Sequence, residues 1–133
     1  MFTKEQLEGI LLTVARPEVT IYRSERSKSG YTVRARIMFR ASRTFLISLQ
    51  RRLEQGNINS ILRDSEGVNR DKPVLIIGQK SSIRALRTLM PRNLPCSHSN
   101  WDKFDIVTEY LDEGLHLEND GMKTLIEMVE NVE

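Results

Sequence analysis

Residues 31–40, YTVRARIMFR, alternate clearly between two sets of side chains and constrain the fold more than any other segment. Successive side chains of a β-strand point to opposite faces of a sheet. One face therefore carries Val33, Ala35, Ile37 and Phe39, and the other carries Thr32, Arg34, Arg36, Met38 and Arg40. A polar, basic segment at 24–30 separates this run from an alternating segment at 18–24. We predict a β-hairpin with one face on a core and three outward arginines on the other, flanked by Thr20 and Tyr22.

A helix is predicted ahead of this hairpin, over residues 3–15. Thr3 and Gln6 have the spacing of a capping box, which satisfies two backbone N–H groups at the start of a helix. A stripe at helical period follows, made of Leu7, Ile10, Leu11 and Val14. Pro17 then disfavours the helical conformation at the preceding residue, so the helix ends before it.

The rest of the chain repeats the hairpin and then becomes helical. We predict a helix at 43–55 stopped by Gly56, strands at 57–63 and 73–78, and a helix capped by Ser81 or Ser82 and closed by Pro91. Two acidic helices finish the chain. Strands joined as hairpins form antiparallel sheets. The predicted class is therefore α+β, written αββαββαα, with one face of the sheet under helices and the other open.

Chain length and the distribution of charge limit the classes of function that this chain can have. The 133 residues fit one domain over 1–133. Residues 16–43 carry eight bases against two acids (+6), residues 44–92 nine against four (+5), and residues 93–133 two against ten (−8). Such segregation favours one face built for a polyanion. No apolar run approaches the ~20 residues of a membrane span, and Cys96 is the only cysteine, so we expect a cytoplasmic protein without a membrane partner.

The arginine face predicts contact with double-stranded DNA. A two-stranded ribbon fits the major groove, where arginine bonds guanine O6 and N7. We assign Arg34, Arg36 and Arg40 to the groove, and the basic side chains of the two hairpin loops to phosphates. The DNA-binding prediction comprises Thr20, Tyr22, Arg23, Arg26, Lys28, Thr32, Arg34, Arg36, Arg40, Arg63, Arg70 and Lys72. The alternative is an edge strand that carries charge to block unwanted pairing.

Other chemical motifs are absent from the sequence. His98 and His116 lie eighteen residues apart with only Cys96 near one of them, which matches no recurring zinc spacing. The chain has no Gly-rich phosphate loop and no nucleophile–base arrangement. Trp101 is interpreted as a core residue. We therefore predict no cofactor, no metal and no catalytic residue.

These segments together resemble the LAGLIDADG homing-endonuclease family over nearly the whole chain. The resemblance rests on LEGILLTVA at 7–15, on the αββαββ order, and on LHLENDGMKTLIEMV at 115–129. It implies a saddle-shaped sheet over DNA, with the motif helix as the interface between two halves. One motif helix in a chain implies a homodimer on a pseudo-palindromic site, with Leu7, Gly9, Ile10 and Thr13 at the two-fold seam.

The motif departs from the family at the residues that matter for cleavage. Only Leu7 and Gly9 are identical to the family motif. Alignment on these two residues puts Leu12 and Val14 at the two acidic positions of the motif. Mg²⁺ requires hard oxygen ligands, which neither side chain offers, and family catalysis depends on such a metal to activate water. The family's basic residue after the fourth strand is also not evident in LPCSHSN at 94–100.

The resulting prediction is a sequence-preferring DNA-binding protein, a transcription regulator or architectural factor, that is not an enzyme. Two alternatives stay open. Glu8 or Glu18 could serve a divergent metal-dependent endonuclease, or the acidic carboxy-terminal helices could make the chain a protein-interaction module without affinity for DNA.

Overall fold

The computed structural model describes residues 2–26, 30–65, 72–91 and 101–129. The class is confirmed as helices with an antiparallel four-stranded sheet. In the described residues three helices follow the last strand, as the segment-by-segment prediction has them, although the short form αββαββαα writes two. The elements are α1 (Lys4–Thr13), β1 (Arg16–Arg23), β2 (Tyr31–Arg40), α2 (Arg43–Glu54), β3 (Ile61–Arg63), β4 (Val74–Ile77), α3 (Lys80–Leu89), α4 (Trp101–Glu113), a 3₁₀ turn (Leu115–Leu117) and α5 (Asn119–Met128).

The predicted capping box starts α1. The backbone N–H of Gln6 donates to Thr3 Oγ1 at 3.1 Å, and the backbone N–H of Thr3 donates to Gln6 Oε1 at 2.9 Å. Phe2, which precedes the cap residue Thr3, is held by α2, because Arg52 Nε donates to the Phe2 carbonyl at 3.1 Å. The ring of Phe2 lies 5.3 Å from that of Phe45. These contacts set the start of α1 against α2.

The strands pair in the order β1-β2-β4-β3, so β2 and β4 are the inner strands. Ile37 to Arg40 pair with Ile77 to Val74, and Ile61 to Arg63 pair with Ile76 to Val74. All four residues of β4 are buried. A strand buried on both faces reads as a continuous apolar run, as VLII does.

The expectation of one open face is wrong for the inner strands. Burial along β2 alternates at Tyr31–Arg34 and then becomes continuous from Ala35 to Phe39. Met38, Val74 and Ile76 form a separate buried cluster. Met38 pairs with Ile76, and directly opposed residues of an antiparallel pair share a face. The cluster therefore occupies the face that was predicted to be open.

The chain divides into two compact units, each with its own core. The first comprises Met1–Arg16 and Arg36–Ser99, and the second comprises Pro17–Ala35 and Asn100–Glu133. In the first unit the fully buried side chains include Leu11, Phe39, Leu46, Leu49, Leu75, Ile77 and Leu86. In the second, Ile21 of β1 packs with Val107 of α4 and with Met122 and Leu125 of α5. A single domain over 1–133 stays a prediction.

Two local predictions about the later helices have different outcomes. Neither Ser81 nor Ser82 caps α3, because the cap position is Gln79 and makes no side-chain bond there. Ser82 is buried, and its Oγ accepts a hydrogen bond from the Asn59 backbone N–H at 2.9 Å. The Ser82 hydroxyl therefore binds the segment before β3 and does not cap α3. Trp101 is confirmed as a core residue, with its ring edge-on to Phe104 at 5.5 Å.

Within the described residues, no helix has the length and apolar character needed to cross a membrane.

Candidate nucleic-acid interface

The three arginines predicted to point outward lie in three different environments. Arg34 is exposed, Arg40 is half-buried, and Arg36 is buried at 9% exposure. Thr20, predicted to contact DNA, is also buried at 8%. The prediction of an outward row of three arginines is therefore wrong at Arg36. Arg34 precedes the stretch from Ala35 to Phe39 in which every residue of β2 is buried, and Arg36 lies within it.

Arg34 is oriented by two neighbours on β1. Its guanidinium carbon lies 4.9 Å from the centroid of the Tyr22 ring, a cation–π distance. Its Nη2 lies 3.7 Å from Glu18 Oε1, and the two side chains are 45% and 27% exposed. An ion pair this exposed contributes little to stability, about 0–1 kcal/mol. The guanidinium is thus held in place yet accessible to solvent.

A second pair of arginines flanks β4 in the first unit. Arg40 of β2 and Arg63 of β3 are both register partners of Val74. Opposed residues of antiparallel strands share a face. The side chains of Arg40 and Arg63 therefore project from the same face of the sheet, on either side of buried Val74. Arg63 is exposed and Arg40 is half-buried. The first unit therefore has a cross-strand basic row, Arg40–Val74–Arg63.

A pocket of about 770 Å³ opens at one end of this row. It forms where α1 ends, where β2 passes into α2, and just before β4 begins. Among its described lining residues, three side chains are cations, two are hydroxyls and none is a carboxylate. The lining residues are Thr13, Val14, Arg16, Arg40, Ala41, Ser42, Lys72 and Pro73. Cations that converge on a concave surface raise the local concentration of anions, so this basic pocket favours a phosphate-bearing ligand.

The basic pocket does not fit the divalent cation that the family resemblance implies. Val14, aligned with a family acid, lines the pocket with a hydrocarbon side chain, and the other aligned residue is Leu12. Mg²⁺ prefers carboxylate and water oxygens, whereas Arg16, Arg40 and Lys72 would repel it. Across the described ranges no group of three or more His, Cys, Asp or Glu side chains is placed to bind a metal.

The remaining predicted DNA contacts are distributed over both units. Arg23, Arg26 and Thr32 are exposed in the first hairpin, and Tyr22 is half-buried. Lys72 is exposed at the rim of the basic pocket. Lys28 and Arg70 lie outside the described residues, as do Cys96 and His98. One further exposed arginine, Arg43, is paired with Asp64.

The predicted dimer seam needs one correction. Leu7 is 3% exposed and Leu11 is fully buried, so both pack on the core of their own chain. Gly9 and Thr13 are exposed and Ile10 is half-buried. A Cβ built at Gly9 would meet nothing within 4 Å, and Thr13 Oγ1 donates to the Gly9 carbonyl at 2.6 Å. Of the four predicted seam residues, Gly9, Ile10 and Thr13 are therefore accessible at the surface of the chain and Leu7 is not.

Sequence reasoning missed Arg16 and Ser42 as residues of the basic pocket. Arg16 was counted among the bases of residues 16–43, and its position before Pro17 was interpreted as a helix end, but it was not assigned to a site. Ser42 was not considered; its Oγ accepts from the Phe45 backbone N–H at 3.3 Å as the cap of α2. The available signal for Arg16 was its place after the motif helix, whose end the family resemblance puts at the cleavage centre; Ser42 follows β2 and carried no such signal.

Comparison with known proteins identifies the fold. No family model matches the sequence, and no curated protein matches it. Among solved structures, the homing endonuclease I-TnaI superposes with a TM-score of 0.77 at 15% identity, over 96% of this chain and 85% of that one. The LAGLIDADG homing endonuclease I-LtrWI bound to target DNA gives 0.76 at 18%, over 96% and 43%. The meganuclease I-SmaMI bound to uncleaveable DNA gives 0.79 at 12%, over 99% and 45%.

The fold and the arrangement of its elements define a homing-endonuclease-like protein. The chain has the LAGLIDADG homing-endonuclease fold, as the resemblance implied. The chain spans most of the length of I-TnaI and slightly less than half of the other two. One sequence-based prediction is corrected by these comparisons: the three matched proteins are endonucleases by name, so the conclusion that a chain of this kind is not an enzyme is wrong.

Proposed function

We propose that this chain binds double-stranded DNA with a sequence preference, and that the basic pocket is where it holds the DNA backbone. The observation that carries the proposal is the convergence of Arg16, Arg40 and Lys72 on one cavity, where the lining that the structure describes includes no carboxylate. Phosphate oxygens accept charge-assisted hydrogen bonds from such cations. Ser42 adds a neutral hydroxyl donor at the same cavity, because its Oγ accepts the bond from Phe45, whereas the hydroxyl hydrogen of Thr13 is donated to the Gly9 carbonyl.

The proposed contacts divide into two kinds. Exposed cations bind phosphates and set the position of the duplex: Arg63 beside the basic pocket, and Arg23 and Arg26 near the tip of the first hairpin. Side chains held in a fixed orientation on the sheet read bases, and Arg34 is the residue that meets this description. Buried Arg36 and Thr20 are assigned to the structure of the sheet rather than to DNA.

The proposed active form is a homodimer on a pseudo-palindromic site. The chain covers 43–45% of the I-LtrWI and I-SmaMI chains, close to one half, but 85% of I-TnaI. Two copies of this chain would supply the mass of one such protein. A two-fold dimer presents the same patch from each subunit, and we assign that patch to Gly9, Ile10 and Thr13 of α1.

Selection of bound duplexes from a random pool, followed by titration in increasing salt, tests this proposal. We expect an enriched motif with two-fold symmetry, and an affinity that falls linearly with log salt concentration because phosphate contacts release counterions. The triple variant Arg16→Ala, Arg40→Ala, Lys72→Ala should lose most of the affinity at every sequence. Absence of duplex binding at low salt would overturn the proposal and favour the protein-interaction module.

A second candidate function is a divergent DNA endonuclease, which the matched endonucleases favour. The pocket residues do not fit a divalent cation, so acids elsewhere would have to serve it. Glu8 on α1 is half-buried, and Glu18 on β1 faces Arg34. Incubation of the selected duplex and of supercoiled plasmid with Mg²⁺ or Mn²⁺ tests this candidate. Cleavage abolished by Glu8→Gln or Glu18→Gln supports it, and an intact substrate at full occupancy contradicts it.

The cellular role follows from where such a dimer binds. Occupancy of sites near promoters would make it a transcription regulator, whereas dispersed occupancy with bending would make it an architectural factor. Mapping of bound chromosomal sites, together with a circular-permutation bending assay, separates the two roles.

A further inference from the structure

We infer that Arg34 recognises a guanine in the major groove and that Tyr22 and Glu18 position it for that contact. This inference rests on the proposed DNA-binding function and names one determinant of its sequence preference. All three residues belong to the second unit, on the paired strands β1 and β2. Their arrangement is specific to this site: an exposed guanidinium lies over an aromatic ring with a carboxylate near one of its nitrogens.

The Tyr22 ring reduces the entropy that Arg34 loses on binding. A free arginine side chain samples many rotamers, and ordering it opposes recognition. The guanidinium carbon at 4.9 Å from the ring centroid is within cation–π range. A cation–π contact of this kind restricts the position of the guanidinium, and the Arg34 side chain stays 45% exposed, so its fork of donors can reach O6 and N7 of one guanine.

Glu18 makes Arg34 better suited to a base than to a phosphate. The distance of 3.7 Å between Nη2 and Oε1 exceeds the 2.7–2.9 Å typical of a charge-assisted hydrogen bond, so the fork's donors are not consumed. The carboxylate does, however, offset the positive charge locally and repels an approaching phosphate. A guanine edge is uncharged and offers two acceptors. The Glu18 carboxylate therefore weakens the binding of a guanine to Arg34 less than it weakens the binding of a phosphate.

Arg26 provides the contrast on the same hairpin. Arg26 is exposed in the turn after β1, whereas Arg34 lies within β2. We assign Arg26 to backbone attraction. Removal of a phosphate contact weakens binding to all sequences alike, whereas removal of a base contact changes preference at one position.

The test is duplex selection with the full-length wild type, followed by competition among single-base variants of the selected site. The variants are Arg34→Ala, Arg34→Lys, Tyr22→Leu and Glu18→Gln, with Arg26→Ala as the matched control. The wild type should prefer guanine at one position of each half-site by about 10-fold or more. Arg34→Ala should reduce this preference to within about twofold and leave the preferences at other positions unchanged.

The positioning residues have their own readouts. Tyr22→Leu should reduce the guanine preference several-fold while affinity for non-specific duplex stays within about twofold, because non-specific binding depends on phosphate contacts. Glu18→Gln should raise non-specific affinity and lower the guanine preference. Arg34→Lys should recover charge but not preference, since lysine lacks the planar fork. Circular dichroism and urea unfolding confirm that each variant is folded.

The failures of the inference and of the proposed function are distinguishable. If the wild type binds no duplex, both fall together. If the wild type selects a motif and Arg34→Ala weakens every sequence equally, as Arg26→Ala does, the guanine assignment is wrong and the DNA-binding function stands. If Tyr22→Leu keeps the full guanine preference, the positioning role of the ring is wrong.

Discussion

Arg40 and Arg63 are both register partners of Val74, one across β2–β4 and the other across β3–β4. Neighbouring strands lie ~4.8 Å apart, so the two Cα atoms stand about 10 Å apart on one face of the sheet. Val74 lies between the two arginines and is fully buried. This arrangement defines a basic row beside the basic pocket and leads to the first prediction.

Replacement of Arg40 or Arg63 by alanine should weaken binding of duplex DNA at all sequences. Each phosphate contact removed should lower the slope of log affinity against log salt concentration by about 0.9. Fluorescence anisotropy at several salt concentrations measures this. Arg51→Ala, at an exposed arginine of α2, is the matched control and should leave the slope unchanged. An unchanged slope for Arg63→Ala would remove that residue from the interface.

Arg36→Ala should reduce stability rather than sequence preference. The Arg36 side chain is buried, and loss of a buried polar group leaves its partners unsatisfied. We expect the free energy of unfolding to fall by about 1–3 kcal/mol. Urea denaturation gives this value, with exposed Arg26→Ala as the control. A fully stable variant that has lost preference at one base position would instead restore Arg36 as a base-reading residue.

Gly121→Ala should destabilise the start of α5. An added Cβ would lie 2.0 Å from the carbonyl oxygen of Leu115 and 2.8 Å from its carbonyl carbon, so backbone atoms would have to move. Overpacking of this kind costs about 1–3 kcal/mol or more. Thermal and urea unfolding measure the loss. Gly9→Ala, which meets nothing within 4 Å on α1, should stabilise an isolated chain by about 0.5–1 kcal/mol. Equal stability of the two variants would contradict the tight contact.

Gly9→Arg should dissociate the proposed homodimer while the monomer stays folded. Gly9 is exposed and has open space around it, so the new side chain fits the monomer but not a close approach of two α1 helices. Analytical ultracentrifugation should show a shift from dimer to monomer, and binding to the symmetric site should weaken more than binding to a half-site. Thr124→Arg, at an exposed position of α5, is the control. A dimer that survives Gly9→Arg would exclude this face of α1 as the seam.

Much of the fold follows from local patterns in the sequence. The capping box at Thr3 and Gln6, the helical stripes and the alternation at 31–40 predicted most elements to within a few residues, because each depends on neighbours along the chain. Gly114, which follows α4, adopts φ 73°, a left-handed conformation that glycine commonly supplies at the end of a helix. The charge asymmetry pointed to the basic half of the chain as the region of interest.

The candidate site was less accessible. Arg40 and Lys72 were singled out individually, and Arg16 was counted only for its charge. Nothing in their spacing shows that they line one cavity, since they come from three separated segments. The ion pair between Arg34 and Glu18 and the ring contact with Tyr22 likewise depend on strand pairing.

The sequence by itself determined which segments form helices and strands and which side chains share a strand face, because those properties have a period of a few residues. Only the tertiary structure decided that β2 and β4 are inner strands. It also decided that Arg36 and Met38 are buried, on the face that alternation alone presents as open. Burial of a strand is a non-local property: it depends on which segments lie beside and across it, and no periodicity within the strand encodes them.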